Sequence, residues 1–442
     1  MSTTVSQQAS SAAAATTTYA PPAPAAAGPP PPPPPAPVAE RIGVLDVLRG
    51  IALLGMYVVH FHYYMNPSDA GAGPAVQRVV ELFFEERFWA TFAFLFGVGF
   101  AIQLRRADAR GERLGPRYVR RMLALLAFGV VAEVGFGYHV LVEYALWGLP
   151  LLLVRRWPTR RLVVLLVACA MSLATYSVAR SAYGVYRYGN EGWRARAEAH
   201  AAADAAFRKR IEAAKESPRY ATVVAARVRR MPWWYTRPFS LLPVTDFPLF
   251  LAGLLALRLG LLEWPREHQR LVVGLMVFGV ASWAAATWVL PRFEPGPPGP
   301  GEPLVRYALV TQLSWGCFGL VRTMWLAFAY VGAVLLLVAR NPATWLRRLA
   351  PLAWTGRMAL TNYLLQVMVL DLAFSNYALG LTIRPLAVPV AALALFGAQA
   401  LASRWWLARY RFGPCEWLWR CVTYWRRQPF RLAAAAAAPP PA

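Results

Sequence analysis

Ionisable side chains inside long apolar runs are where chemistry could reside in this 442-residue chain. Burying such a group in a bilayer costs at least ~2.5 kcal/mol, so each one needs a reason. The first apolar run carries Asp46, Arg49 and His60. Asp46 and Arg49 are three apart on one helix face, where a local ion pair is available. Arg49 and His60 are eleven apart, which returns to the same face about 16 Å further along a helix. A guanidinium at one membrane surface could receive the phosphates of an activated donor. An imidazole deeper in could act as general base on an acceptor hydroxyl or amine. The plainer readings are a helix-anchoring pair for Asp46 and Arg49 and an interhelical hydrogen bond for His60.

Two further groups share this character. Glu133, His139 and Glu143 surround a short turn between apolar runs, so that a carboxylate could orient an imidazole beside His60. A later run reads Gly356-Arg357-Met358-Ala359-Leu360-Thr361-Asn362-Tyr363-Leu364-Leu365-Gln366. There Asn362 and Gln366 lie one turn apart as a polar patch beyond Arg357, suited to substrate or equally to gluing helices together. Asp246, Arg258 and Asp371 sit near run ends and are weaker candidates, and His62 and Tyr64 need no special role. Gly97 and Gly99 suit close helix packing, because no strand precedes them as a phosphate loop requires. Cys169, Cys317, Cys415 and Cys421 have no metal-ligand spacing, so neither a metal site nor a disulfide is expected.

The elements that must position these residues follow from composition. Apolar and aromatic residues make up 57% of the chain and charged ones only 15%, yet 46 Lys and Arg face 22 Asp and Glu, a formal net charge of +24. Soluble domains carry about 25% charged residues. The arginines fall in short clusters between apolar runs, as in cytoplasmic loops of membrane proteins, and not as a stripe that would bind nucleic acid. The expectation is therefore an all-α polytopic transmembrane bundle. Its runs cover roughly 42–64, 88–104, 119–137, 140–154, 161–183, 240–262, 270–290, 320–339, 352–374 and 386–407, about ten spans against a requirement of about 20 residues each. Arginines 105–121 and 155–161 mark two inner loops, which places both termini in the cytoplasm.

Five regions result: an Ala/Pro-rich extension expected to be disordered (1–40), a first membrane part (41–186), a hydrophilic insert (187–238), a second membrane part (239–425) and an Arg then Ala/Pro tail (426–442). Residues 305–319 read as an interfacial helix, and 295–303 as a plain Pro/Gly loop. The insert has high helix propensity. Its Arg227, Arg229, Arg230, Trp233 and Trp234 suit an anionic headgroup surface, which makes it a membrane-lying arm or, alternatively, a lid over an outer site.

Three stretches resemble one family. Leu45-Asp46-Val47-Leu48-Arg49-Gly50-Ile51-Ala52-Leu53-Leu54-Gly55 is similar to the opening of the DUF418, or YeiB-like, membrane proteins. The run from Gly356 to Gln366 resembles the family's most specific signature, and Gly413-Pro414-Cys415-Glu416-Trp417-Leu418-Trp419-Arg420 its C-terminal one. The resemblance implies a bacterial inner-membrane, multi-pass protein in the wider group of transmembrane acyltransferases, with acyl-CoA as a substrate donor and no permanently bound cofactor. The acceptor would be a glycan or lipid-linked hydroxyl or amine on the other side, with membrane lipids as surroundings. Arg49 takes a donor-site role and His60 a catalytic one by similarity to the acyltransferase-3 first helix, although most YeiB-like sequences have Asn where His60 stands. Around Tyr144 to Gly148 the family's Asp position falls on His139, and its His position falls near Val131 to Glu133. Either Glu133 and His139 have exchanged roles or the polar pair is degenerate. The competing classes are a transporter or flippase, against which no internal repeat is found, and a non-catalytic scaffold.

Overall fold

A computed structural model describes residues 38–64, 73–242, 245–289, 292, 320–384 and 387–432. Residues 1–37 of the expected disordered extension, the Pro/Gly loop at 295–303, the interfacial helix expected at 305–319, the Tyr64 side chain, Cys317 and the last ten residues of the tail lie outside what can be described. The described residues are helical, and the one β contact among them is an isolated bridge between Tyr410 and Arg431.

Each of the ten apolar runs contains helix among its described residues. In chain order the helices are α1 (Val38–Tyr64), α2 (Gly73–Phe83), α3 (Arg87–Ala109), α4 (Leu114–Phe136), α5 (Val140–Gly148) and α6 (Leu151–Val154). They continue as α7 (Thr159–Lys215), α8 (Tyr220–Tyr235), α9 (Pro238–Leu241), α10 (Asp246–Arg258) and α11 (Gln269–Ala284), which runs on into a π turn at Ala285–Val289. The last group is α12 (Leu320–Arg340), α13 (Pro342–Arg348), α14 (Ala350–Arg357), α15 (Ala359–Phe374), α16 (Val388–Leu407) and α17 (Pro414–Tyr424). Among the described residues, five helical segments are long and apolar enough to cross a membrane: Gly43–Tyr63, Pro74–Ala109, Thr159–Lys215, Gln269–Val289 and Val388–Leu407.

Hydropathy alone does not separate a lipid-facing helix from one enclosed by protein, and α10 shows the difference. The run at 240–262 reads as a span, but its helix has 13 residues and is buried on almost every side. It is a core helix packed against α3, with Gly97 seated on the Phe250 backbone and Gly253 on that of Phe94. The close packing expected of Gly97 is present, whereas Gly99 faces open space.

α1 is the centre of the bundle, with α3, α14, α15 and α16 around it. Its approach to α14 is the tightest. A side chain at Gly50 would run into the Leu352 carbonyl, and one at Gly356 into that of Asp46. Two of the three sequence signatures are thus two faces of one helix crossing. The third meets them at the start of α15. The chain breaks at Met358, leaving the first N–H groups of α15 without partners in their own helix. Glu416 supplies them: its Oε1 accepts from the N–H of Leu360 (2.6 Å) and Thr361 (3.0 Å), and its Oε2 from the Thr361 hydroxyl (2.5 Å). A carboxylate there also complements the helix dipole.

The insert is continuous with the fifth run, since α7 extends through both with a break at Gly189 (φ 69°). α8 folds back along α7. Trp233 stacks on Phe207 (5.2 Å between centroids) and donates to Asp204 (3.3 Å), and Arg237 pairs with the same carboxylate. That guanidinium holds the Asp204 carboxyl below its ordinary range. Arg229 is exposed, but Arg227, Arg230 and Trp234 turn inward onto α4, α5 and α15 and do not meet a headgroup surface. Their text suits either setting, and the partners that decide are far away in sequence.

Candidate functional site

A cavity of about 220 Å³ opens between α1, α3, α4, α5, α14, α15 and α17. Its mouth is basic: Arg49, Arg121, Arg357 and Arg420 line it, with Gln103 and Glu416. Each guanidinium is set by a different element. Arg49 is paired with Asp46 one turn back on α1 (2.7 Å). Arg121, on the first turns of α4, lies flat on the Trp419 ring (3.6 Å to its centroid), and the Trp419 indole N–H returns a bond to the Arg121 carbonyl (2.8 Å). Arg420 lies over Phe412 (4.3 Å), and Arg357 ends α14 with its side chain exposed. Guanidiniums held on aromatic faces keep their N–H forks available, the arrangement that suits phosphate.

Beyond the mouth the walls are apolar, formed by Met56, Phe92, Leu95, Phe96, Leu125 and Leu360 among others. Two tyrosines on the lining, Tyr118 and Tyr363, have buried hydroxyls with no hydrogen-bond partner among the described residues. An orphaned hydroxyl is costly unless a ligand or water meets it. Tyr144 also lines the cavity and donates to the Trp89 carbonyl (3.2 Å).

The cavity stops at Val140 and Tyr363, short of His60. The His60 ring lies edge-on behind Tyr363 (6.3 Å) and against Tyr138 (4.6 Å). Its Nδ1 is 3.1 Å from Nε2 of Gln366, whose buried Oε1 has no partner among the described residues. The amide fixes the imidazole tautomer. With Nε2 facing the ring, Nδ1 accepts and the proton sits on the ring's other nitrogen. A half-turn of the amide would make Nδ1–H the donor and leave the ring Nε2 as a base.

His139 follows Gly137, which ends α4 with a left-handed backbone (φ 86°) and lets the chain turn directly into α5. Its nearest carboxylate is Glu143, one turn on (4.0 Å). Glu133 does not meet an imidazole; it is fully buried, accepts from the Tyr235 hydroxyl (2.6 Å) and lies 3.9 Å from Arg230. Trp234 packs on His139 (4.6 Å) and donates its indole N–H to Glu143 (2.8 Å).

Of the residues singled out in the sequence, Arg49 and Arg357 share the mouth, whereas His60, Gln366, His139 and Glu133 gather at the other end. Asp46 acts through Arg49. Asn362 lies off the cavity, donating to the Thr355 carbonyl (3.1 Å) and the Ser403 hydroxyl (3.0 Å), so it joins α15 to α14 and α16. Asp371 forms a buried ion pair with Arg227 (2.5 Å). Asp246 is buried with both carboxylate oxygens unpartnered among the described residues. No group of three or more His, Cys, Asp or Glu suited to a metal ion occurs among the described residues. Sequence reasoning passed over Arg121, Glu416, Arg420, Tyr363, Trp234 and Tyr235. Glu416, Arg420 and Tyr363 stood inside recognised signatures without a role, Arg121 read as loop charge, Trp234 read as a headgroup contact, and Tyr235 stood beside it in a hydrophilic insert without a motif.

Spanning-length apolar helices arranged about a cavity with a basic mouth and an imidazole–carboxylate far end define a helical membrane protein with an internal site. Residues 256–426 match the family model described as protein of unknown function (DUF418), and residues 41–149 match that of heparan-alpha-glucosaminide N-acetyltransferase, catalytic. Residues 256–426 are thus similar to the DUF418 family, in keeping with the YeiB-like motifs. It is 28% identical over 410 residues to YxaH of Bacillus subtilis (88% of this chain, 96% of the relative). It is also 28% identical over 413 residues to a 39.9 kDa protein from the amylase 3′ region of Bacillus acidopullulyticus (90% and 99%). YeiB of Escherichia coli is 40% identical over 72 residues (16% and 19%). All three are described as uncharacterised. No solved structure matches. The two family-model segments meet at the site, residues 41–149 supplying Arg49, Arg121 and Tyr144 and residues 256–426 supplying Arg357, Tyr363, Glu416 and Arg420.

Proposed function

We propose that this protein is an acyltransferase of the bacterial inner membrane, crossing it many times with the Arg49 end in the cytoplasm. It takes an acyl group from acyl-CoA at that end and passes it to a glycan or lipid-linked hydroxyl or amine reached from the other side. The observation that carries this reading is the cavity itself, which runs from four guanidiniums to a wall, Tyr363, with His60 directly behind it. The phosphates of the donor suit the mouth and the pantetheine arm the apolar walls, with the Tyr118 and Tyr363 hydroxyls as partners for its amides. The match of residues 41–149 to an N-acetyltransferase catalytic model supports the same class.

In the transfer, the acceptor oxygen or nitrogen bonds to the acyl carbon, the thioester C–S bond breaks, and the acceptor's proton passes through an imidazole to the departing thiolate. His60 is the first choice for that imidazole, with Gln366 selecting its tautomer, and His139 is the second. Because Tyr363 stands between the cavity and His60, its ring must turn aside, or its hydroxyl must relay the proton.

Protein reconstituted in nanodiscs with labelled acyl-CoA esters and a panel of amine and hydroxyl acceptors tests this. Acceptor-dependent release of CoA is expected. No turnover across short and long CoA esters would remove the enzyme reading, and unchanged turnover in His60→Ala would remove His60 from the mechanism.

A further inference from the structure

α8 lies between the two segments matched by family models, and nothing in the motifs assigns it a role. Yet six of its side-chain bonds end on the imidazole–carboxylate end of the site. Tyr220 donates to the Gly135 carbonyl (3.2 Å), Arg227 to the same carbonyl and to Asp371 (2.5 Å), and Arg230 to the Gly137 carbonyl (3.1 Å). Gly135 and Gly137 belong to the last turn of α4, whose carbonyls have no partners within the helix, so two guanidiniums cap it. Arg227 and Asp371 are both nearly fully buried, and Tyr377 and Ser375 (2.9 Å) add bonds to the same carboxylate. This cluster is the anchor.

One turn and more beyond it, the next two bonds go to the site. Trp234 binds Glu143 and covers His139, and Tyr235 binds Glu133. Neither carboxylate receives a hydrogen bond from an imidazole among the described residues; both are oriented from α8. A buried carboxylate that loses its donor also loses its fixed geometry, because the neighbouring charged groups, Arg230 for Glu133 (3.9 Å) and His139 for Glu143 (4.0 Å), stand beyond hydrogen-bond distance.

We propose that α8 is the acceptor-side wall of the site, with Trp234 and Tyr235 as positioning residues for Glu143 and Glu133 and the Arg227–Asp371 pair as the anchor that keeps them seated. The insert thereby decides which acceptors reach His139 and His60, whereas the donor mouth is built without it. This rests on the acyl-transfer reading for what the carboxylates and imidazoles do, but not for where α8 sits.

Two measurements on the full-length protein in nanodiscs separate the two ideas. Diethyl pyrocarbonate labelling, resolved by mass spectrometry, reads the cover directly without any substrate. His139 is expected to react slowly in the wild type and roughly tenfold faster in Arg227→Ala, with exposed His200 and distant His268 unchanged as gauges of intact folding. Equal His139 reactivity in the two proteins would overturn the wall. Should Arg227→Ala fail to fold, Trp234→Phe, which keeps a ring, is expected to raise His139 labelling less but measurably, and no rise would count equally against it. Kinetics read the positioning. Tyr235→Phe is expected to lower kcat/KM for the acceptor by about tenfold, the loss of one hydrogen bond to a charged group, with KM for the donor unchanged. Equal losses for donor and acceptor would show a general structural role and overturn the positioning. If the wild type turns over no CoA ester, the acyl-transfer reading falls while the labelling result still decides α8.

Discussion

The two ends of the cavity are built on opposite principles. At the mouth, four guanidiniums converge with aromatic planes and one neighbouring carboxylate apiece at most as company, and the charge is left in excess. At the far end the polar groups are held in pairs: Trp234 donates to Glu143 and covers His139, Tyr235 donates to Glu133, and Gln366 meets His60. Excess charge that is rigidly mounted suits a ligand that arrives with charge of its own. Side chains each held by a hydrogen-bonding neighbour suit groups that must keep one geometry while a proton moves. On the acyl-transfer reading, the contrast puts binding at one end and chemistry at the other.

Substitutions can break that division, and the largest effect is expected at the chemical end. His60→Ala should lower turnover by about 10²- to 10⁴-fold with little change in donor KM, measured by CoA release. A large change in donor KM instead would mean that the two ends are not separate. Arg357→Ala should do the reverse, raising donor KM by about 10- to 100-fold as charge-assisted bonds are lost, with kcat retained and the affinity falling as salt rises. Gly356→Ala tests whether the mouth depends on the α1–α14 crossing. Its new methyl meets the Asp46 carbonyl, so a loss of about 1–3 kcal/mol in thermal unfolding is expected, together with weaker donor binding because Arg49 and Arg357 flank the contact.

The smallest effect belongs to the arm. Arg237 holds the Asp204 carboxyl below its ordinary range, so the pair contributes while Asp204 is ionised. That contribution is present above the ordinary carboxylate pKa and disappears as pH falls through the lowered one. Asp204→Asn should therefore cost at most about 1 kcal/mol near neutral pH, as for an exposed pair, and nothing once the pH is low enough to protonate the wild-type carboxyl. A larger cost would mean that the α7–α8 seam, and not the Arg227–Asp371 anchor, holds α8 in place.

What could be read from the sequence divides along similar lines. Asp46, Arg49 and His60 stood out because polar groups in an apolar run are conspicuous and helical spacing fixes their relative faces. The ten helical runs were legible for the same reason. α10 marks the limit of that reading, because protein and lipid are equally apolar neighbours and its enclosure by the bundle is not written in its hydropathy. The bonds that give the far end its shape were not legible at all: Trp234 to Glu143 spans 91 residues, Tyr235 to Glu133 spans 102, and Arg227 to Asp371 spans 144. Local spacing carries no information about such pairs. The same holds for Glu416, which stood in a recognised signature while its partners, Leu360 and Thr361, stood in another.

That last arrangement has a consequence for how the molecule is made. α17 follows every other described helix, yet it carries the Glu416 that caps α15 and the Trp419 on which Arg121 rests. Domains emerge from the ribosome from the N-terminus onward, so during synthesis the imidazole end is complete while the donor mouth still lacks one wall. On the acyl-transfer reading the protein is therefore unable to hold a donor until translation has all but finished, and a chain stopped short of Gly413 would enter the membrane with its imidazole end assembled and its basic mouth open.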